Sequence, residues 1–346
     1  MYKAVIFGVK GHKLTTEEQK FFQKEKPIGF ILFSRNIKDK KQLRDLVLGL
    51  KDAIGNKDAP ILIDQEGGRV SRLKEPHWYH PPAAAVFGDI AKKNLSDAKK
   101  ACRINAQILG YDLNEMGINV DCAPLIDIPV EGSNNVIGDR AFSNDVGTTI
   151  ELAKSMIEGL TTAGITHIIK HIPGHGRSML DSHFELPHVD TGLSTLEKTD
   201  FIPFMSLNKS KWAMTAHIVY ESIDPSNPAT HSKKVIELIR EKIGFKGIII
   251  TDCITMKALK GSPEHNAKKS FEAGCDLVMF SKPEISDMQS ILKISPEIKK
   301  EDLNLESTST LKEDSIKDLY AELKALMTKY DIKNTLINID PTEQHF

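Results

Sequence analysis

Short apolar runs recur along the chain at intervals that suit a strand followed by a helix. They predict eight strands, at residues 4–8, 29–33, 60–64, 118–123, 166–170, 213–217, 247–252 and 276–280. Most are nearly continuous hydrophobic runs rather than alternating ones, as expected of parallel strands buried on both faces. Between them the apolar period lengthens. Ala101, Ile104, Ile108 and Tyr111 recur at spacings of three and four, as do Ala153, Met156, Ile157 and Leu160, which marks amphipathic helices. A further helix is predicted from Lys233 to Ile243, after the N-cap residue Ser232 and before Gly244. Another runs from Glu313 to about Lys329. Eight such alternations favour a (β/α)8 TIM-type barrel over a doubly wound sheet. No Gly-x-Gly-x-x-Gly follows the first run, which weakens a dinucleotide-binding reading. We expect one domain over residues 1–346, with a core to about 330 and a loosely held tail at 335–346.

Composition narrows the setting. A formal net charge of -1 over 346 residues gives no electrostatic reason to expect nucleic acid or an acidic membrane as partner. Cys102, Cys122, Cys253 and Cys275 are scattered without a Cys-x-x-Cys pair, which suits a reducing compartment better than a disulfide scaffold or a zinc site. The apolar start is broken by Gly8, Lys10, Gly11 and His12, too early for a secretory core, so it reads as the first strand. No stretch approaches eighteen apolar residues, so no membrane insertion is expected. The expected location is the cytoplasm.

The polar residues concentrate where the apolar runs stop. In a parallel barrel the reactive groups lie at the C-terminal ends of the strands. Asp64-Gln65-Glu66-Gly67-Gly68-Arg69 closes the third run, Lys170-His171 the fifth, His217 the sixth and Thr251-Asp252 the seventh. The densest stretch is Lys170 to His183, with three histidines, a lysine, an arginine and an aspartate among glycines and a proline. About twenty residues pass before a helix resumes after Asp190, and loops of that length are usually functional or disordered.

Each element has a plain reading and a chemical one. Asp252 is either a structural aspartate or N-cap ending a strand, or a carboxylate that attacks an anomeric carbon to form a covalent glycosyl-enzyme. His183 is either a surface histidine or a proton donor and acceptor. Imidazole titrates near neutrality, and Asp181 is placed to orient it. A metal hydrolase competes, because His171, His175, His183, His188 and His217 are enough ligands in principle. The His171/His175 spacing would matter on a helix, but Pro173 and Gly174 lie between them. Ser182 beside His183 lacks a Gly-x-Ser-x-Gly elbow.

On these residues the chain resembles the family 3 glycoside hydrolases, specifically the bacterial cytosolic β-N-acetylhexosaminidases of peptidoglycan recycling. The likeness runs from about Pro27 to Phe280. It includes Gly29 to Asn36, Asp64 to Val70, the Lys170–His183 loop, Met214-Thr215-Ala216-His217 and Ala273-Gly274-Cys275-Asp276. The resemblance implies a barrel with Asp252 as nucleophile, His183 as acid/base and Asp181 as its partner. It implies sugar binding by Asp64, Arg72, Arg140, Lys170 and His171, with no cofactor and no metal. The implied substrate is a carbohydrate, the terminal N-acetylglucosamine of a 1,6-anhydro-muropeptide. Two departures stand out: Cys253 where the family commonly has a second aspartate, and Ile172 where Phe is common. Phosphorolysis on the same scaffold stays open, because a neutral histidine repels an incoming phosphate less than a carboxylate does. A sugar-binding protein without activity is the non-enzymatic alternative. His175 has no firm assignment beyond shaping the loop.

Overall fold

A computed structural model describes residues 1–132, 134–306, 309 and 311–332. All eight predicted strands form. They are Tyr2–Gly8, Pro27–Leu32, Ile61–Ile63, Val120–Asp121, Thr166–Ile172, Trp212–Thr215, Ile248–Cys253 and Leu277–Phe280. Each pairs in parallel with the next, and the eighth returns to the first through Val5 opposite Val278, so the sheet closes into a (β/α)8 barrel. A short antiparallel strand, Glu297–Ile298, pairs with the start of the first, Tyr2 opposite Ile298 and Lys3 opposite Glu297.

The continuous apolar runs follow from two separate apolar environments. Ile6, Leu62, Val120, Ile168, Trp212, Met214, Ile250 and Leu277 pack inside the barrel. Their strand neighbours Val5, Ile61, Ile63, Ile169, Ala213, Ile249 and Val278 pack outward against the helices. A strand buried on both faces has no polar side to show. Trp212 closes the lower end by donating its indole N–H to the Leu303 carbonyl at 2.8 Å.

The helices begin where the sequence places capping residues. Ser232 accepts from the Val235 N–H at 3.2 Å and starts Lys233–Glu241, two residues shorter than expected. The helix Glu313–Lys329 lies where expected and packs on Leu95–Glu115, with Lys329 and Tyr330 both bonded to Asp97. The fourth strand is shorter than its apolar run, although the backbone beyond it stays bonded to its neighbours: the Cys122 N–H donates to the Ile63 carbonyl at 2.8 Å and the Ile126 N–H to the Lys170 carbonyl at 2.9 Å. Two small pairings were not foreseen. Gln65–Gly67 pairs with Val70–Ser71, and His188–Val189 with Val219–Tyr220. The expected tail, 335–346, lies outside the described residues. Among the described residues no helix is long and apolar enough to cross a membrane.

Candidate active site

The C-terminal ends of the strands surround a single cavity. Asp64, Arg140, Lys170, His171, His183 and Asp252 all line it, together with His175, Ser182 and apolar walls from Phe33, Met214 and Met279. Of the eight residues assigned roles from sequence, six therefore meet at one cavity. Asp181 and Arg72 stand directly behind two of them.

A charge network forms one side. Lys170 bridges Asp64 at 3.1 Å and Glu66 at 2.5 Å. Arg140 grips Glu66 with two bonds of 2.8 Å, from Nε and Nη2. Arg72 donates from Nη2 to the other Asp64 oxygen at 3.0 Å and lies 5.8 Å from the Phe33 ring centre. Three cations thus hold two carboxylates. Burial alone raises Asp64 and Glu66, but Lys170 with Arg72, and Arg140 with Lys170, outweigh it and hold both below the carboxylate range. Lys170 is likewise lowered by burial and raised further by Glu66 and Asp64, so it stays cationic. Fixed charges of this kind bind hydroxyl and acyl groups in a set geometry.

A second pair is built inside a single turn. One Asp181 oxygen accepts the His183 backbone N–H at 2.9 Å and lies 2.7 Å from His183 Nδ1. The Phe184 N–H closes the turn on the Asp181 carbonyl at 3.0 Å. With the Nδ1 proton assigned to the Asp181 side, Nε2 is the ring nitrogen on the side away from that carboxylate. Burial raises Asp181, but its bonds from His183 prevail and keep it ionised. An imidazole oriented by a carboxylate can deliver and recover a proton.

Asp252 comes from the end of the seventh strand, which places it rigidly. One oxygen accepts the Cys253 N–H at 2.7 Å. Burial raises this carboxyl, yet His217, His171 and His183 around it hold it below the ordinary value. An ionised carboxylate and an imidazole lining one cavity can divide the roles of nucleophile and acid/base between them. His217 is fixed by Thr230 on Nδ1 at 2.7 Å and by the Cys253 carbonyl on Nε2 at 3.1 Å. Cys253 is buried with Sγ between the Thr255 and Ser281 hydroxyls, at 3.0 and 2.9 Å.

The loop from Pro173 onward is not helical, and the histidines do not gather round a point. Among the described residues no group of three or more His, Cys, Asp or Glu is arranged to hold a metal. Instead His175 packs edge-on against His171 with ring centres 5.3 Å apart, and its Nε2 lies 3.4 Å from Ser182 Oγ. Burial and the adjacent His171 push it down to about 4, so it is neutral near pH 7. The loop is pinned by Tyr220 to the Gly174 carbonyl at 2.6 Å and by Arg177 to Asp200 at 2.7 Å. Gly176 passes so close to Ile128 that a Cβ would lie 1.8 Å from its carbonyl oxygen; only glycine fits there.

Two functional carboxylates were given no role from sequence. Glu66 is the common partner of Lys170 and Arg140. Asp127, fully buried, accepts the backbone N–H of His175 at 2.7 Å and of His171 at 3.1 Å, and faces His171 Nδ1 at 2.7 Å. A lone aspartate closing the apolar run Cys122 to Ile126 was the available signal for it.

Fold and cavity define a barrel enzyme for a small polar molecule. Residues 3–309 match the family model described as the glycosyl hydrolase family 3 N terminal domain, and the chain belongs to that family, as a glycoside hydrolase. It is 35% identical over 284 residues to the beta-hexosaminidase of Alkalilimnicola ehrlichii, covering 80% of each chain. It is 34% identical over 285 residues to that of Haemophilus influenzae, covering 80% of this chain and 79% of the other. The crystal structure of NagZ from Neisseria gonorrhoeae in complex with N-trifluoroacetyl-D-glucosamine superposes with a TM-score of 0.83 at 28% identity. That match covers 94% of this chain and 98% of the other.

Proposed function

We propose that this protein is a retaining exo-β-N-acetylglucosaminidase. It removes terminal non-reducing N-acetylglucosamine from GlcNAc-1,6-anhydro-muropeptides, in the cytoplasm, during cell-wall recycling. The observation that carries this reading is the Asp181–His183 turn facing the same enclosed cavity as Asp252. The relatives named beta-hexosaminidase supply the substrate class.

In the first step His183 gives its Nε2 proton to the glycosidic oxygen while a carboxylate oxygen of Asp252 bonds to C1. The C1–O bond breaks, and the aglycone leaves with the proton. In the second step neutral His183 takes a proton from water, the water oxygen bonds to C1, and the ester to Asp252 breaks. Two inversions give retention. Asp181 stabilises the imidazolium that donates in the first step and is regenerated by the second. Asp64, Lys170, Arg140 and His171 hold the sugar from the network side, and Arg72 acts by fixing Asp64. No metal or cofactor enters. Met214 and Met279 among the lining residues offer an apolar wall to the terminal sugar. Water is favoured over phosphate as acceptor, because Arg140 and Lys170 are already paired with Glu66 and Asp64.

A chromogenic N-acetyl-β-glucosaminide tests the reading. Wild-type protein should release the chromophore with initial retention at C1, seen by NMR, at a rate independent of phosphate. Full activity of Asp252→Ala would overturn the mechanism.

A further inference from the structure

The segment that carries the acid/base pair also carries an apolar surface that no core needs. Among the described residues only eight large hydrophobic side chains are substantially exposed, and three fall between residues 179 and 184. Met179 is 60%, Leu180 41% and Phe184 49% exposed. Scattered apolar exposure is ordinary, but a cluster rimming a binding site marks a recognition surface. Lys257, also exposed, lies on the adjacent loop with Nζ 5.5 Å from the Phe184 ring centre. It makes no ion pair with any described carboxylate. That loop is tied to the acid/base turn by the Ala258 N–H donating to the Ser182 carbonyl at 3.2 Å.

The place of this surface fixes what it meets. If His183 protonates the glycosidic oxygen, the terminal sugar lies on the cavity side of that imidazole and the leaving group on the outer side. The outer side is formed by the neighbours of His183 in the same loop. We propose that Met179, Leu180 and Phe184, backed by Lys257, form the aglycone site, and that it selects leaving groups presenting both an apolar face and a negative charge. Phe184 supplies a flat face for stacking. Lys257 supplies the unpaired cation. The inference rests on the proposed glycosidase reading and assigns its specificity to these four side chains.

The test compares three substrates in wild type, Phe184→Ser and Lys257→Gln. They are N-acetylglucosaminyl-1,6-anhydro-N-acetylmuramic acid, whose aglycone is bicyclic and anionic; chitobiose, whose aglycone is neutral and hydroxylated; and N-acetyl-β-glucosaminyl azide, whose leaving group is too small to cover the rim. Both disaccharides have sugar-alcohol leaving groups that need the proton of His183, so a displaced His183 lowers both and leaves their ratio unchanged. The wild type should prefer the anhydro disaccharide over chitobiose in kcat/KM. Each variant should cut that preference by about three- to tenfold while azide turnover stays unchanged. Turnover of the azide with an unaltered disaccharide ratio in both variants overturns the aglycone site and leaves the glycosidase reading standing. No wild-type turnover of any of the three overturns both.

Discussion

Replacing Asp127 with Asn changes one atom of a fully buried side chain, and its effect can be worked from three contacts. One oxygen of Asp127 accepts the backbone N–H groups of His171 and His175, and the amide oxygen of Asn can keep both bonds. The other oxygen faces His171 Nδ1 at 2.7 Å. In the variant an NH2 group stands there and must donate, so the Nδ1 proton is lost and the tautomer reverses. His171 Nε2, which faces the cavity, then changes its hydrogen-bonding role toward the sugar. The lost interaction is a hydrogen bond to a charged group, on the order of 1.5–3 kcal/mol. Expressed wholly in transition-state binding, that is about 10- to 150-fold in kcat/KM. The assay is steady-state hydrolysis of a chromogenic N-acetylglucosaminide, with denaturant unfolding in parallel to measure any general loss of stability. A kcat/KM within threefold of wild type would refute the reasoning, because His171 would then be oriented by something other than Asp127.

Three further expectations follow from other parts of the structure. His183→Ala should slow substrates with poor leaving groups by at least about a hundredfold and aryl glycosides of acidic phenols far less; equal losses would contradict its role as acid. Glu66→Gln strips the shared partner from Arg140 and Lys170, both nearly fully buried, and should destabilise the fold by about 3–5 kcal/mol in urea titration as well as weaken sugar binding; an unchanged midpoint would show that Asp64 suffices. His167 has both ring nitrogens buried without a partner among the described residues and is pushed by burial from 6.5 to about 4. The unfolded chain therefore takes up a proton before the folded one, so stability is full above about pH 6.5 and falls as pH drops toward 4. His167→Leu should flatten this slope, leaving the parts due to His175, His231, His217 and His80, which burial also pushes down; an unaltered slope would place the acid sensitivity elsewhere.

The barrel was legible because its strands face apolar surroundings on both sides. Ile168 points into the barrel and Ile169 into the helix layer, so the run around them has no polar alternation to obscure it. The fourth strand is cut short at its end because Pro124 has no N–H to give to the ladder, although the Ala123 carbonyl still accepts from Ile168 and Ile126 still donates to Lys170. In the site, residues at strand ends and in the Lys170–His183 loop announced themselves by chemical type. Glu66 and Asp127 did not, because what defines them is a partner far away in the chain. Glu66 meets Arg140 across 74 positions and Asp127 meets His171 across 44, and only the closed barrel brings those strand ends together. The turn that joins Asp181 to His183 is local, and it was the part of the site most readable from sequence.

The central claim is that Asp252 forms a covalent bond to the sugar. Its most direct test is to trap that state with an N-acetylglucosaminyl donor that carries a fluorine on the ring and a good leaving group, then to locate the adduct by tandem mass spectrometry. One sugar per chain, attached to Asp252 and absent from Asp252→Asn, is the predicted result. An adduct on another residue, or continued turnover of the donor with no adduct on Asp252, would contradict it.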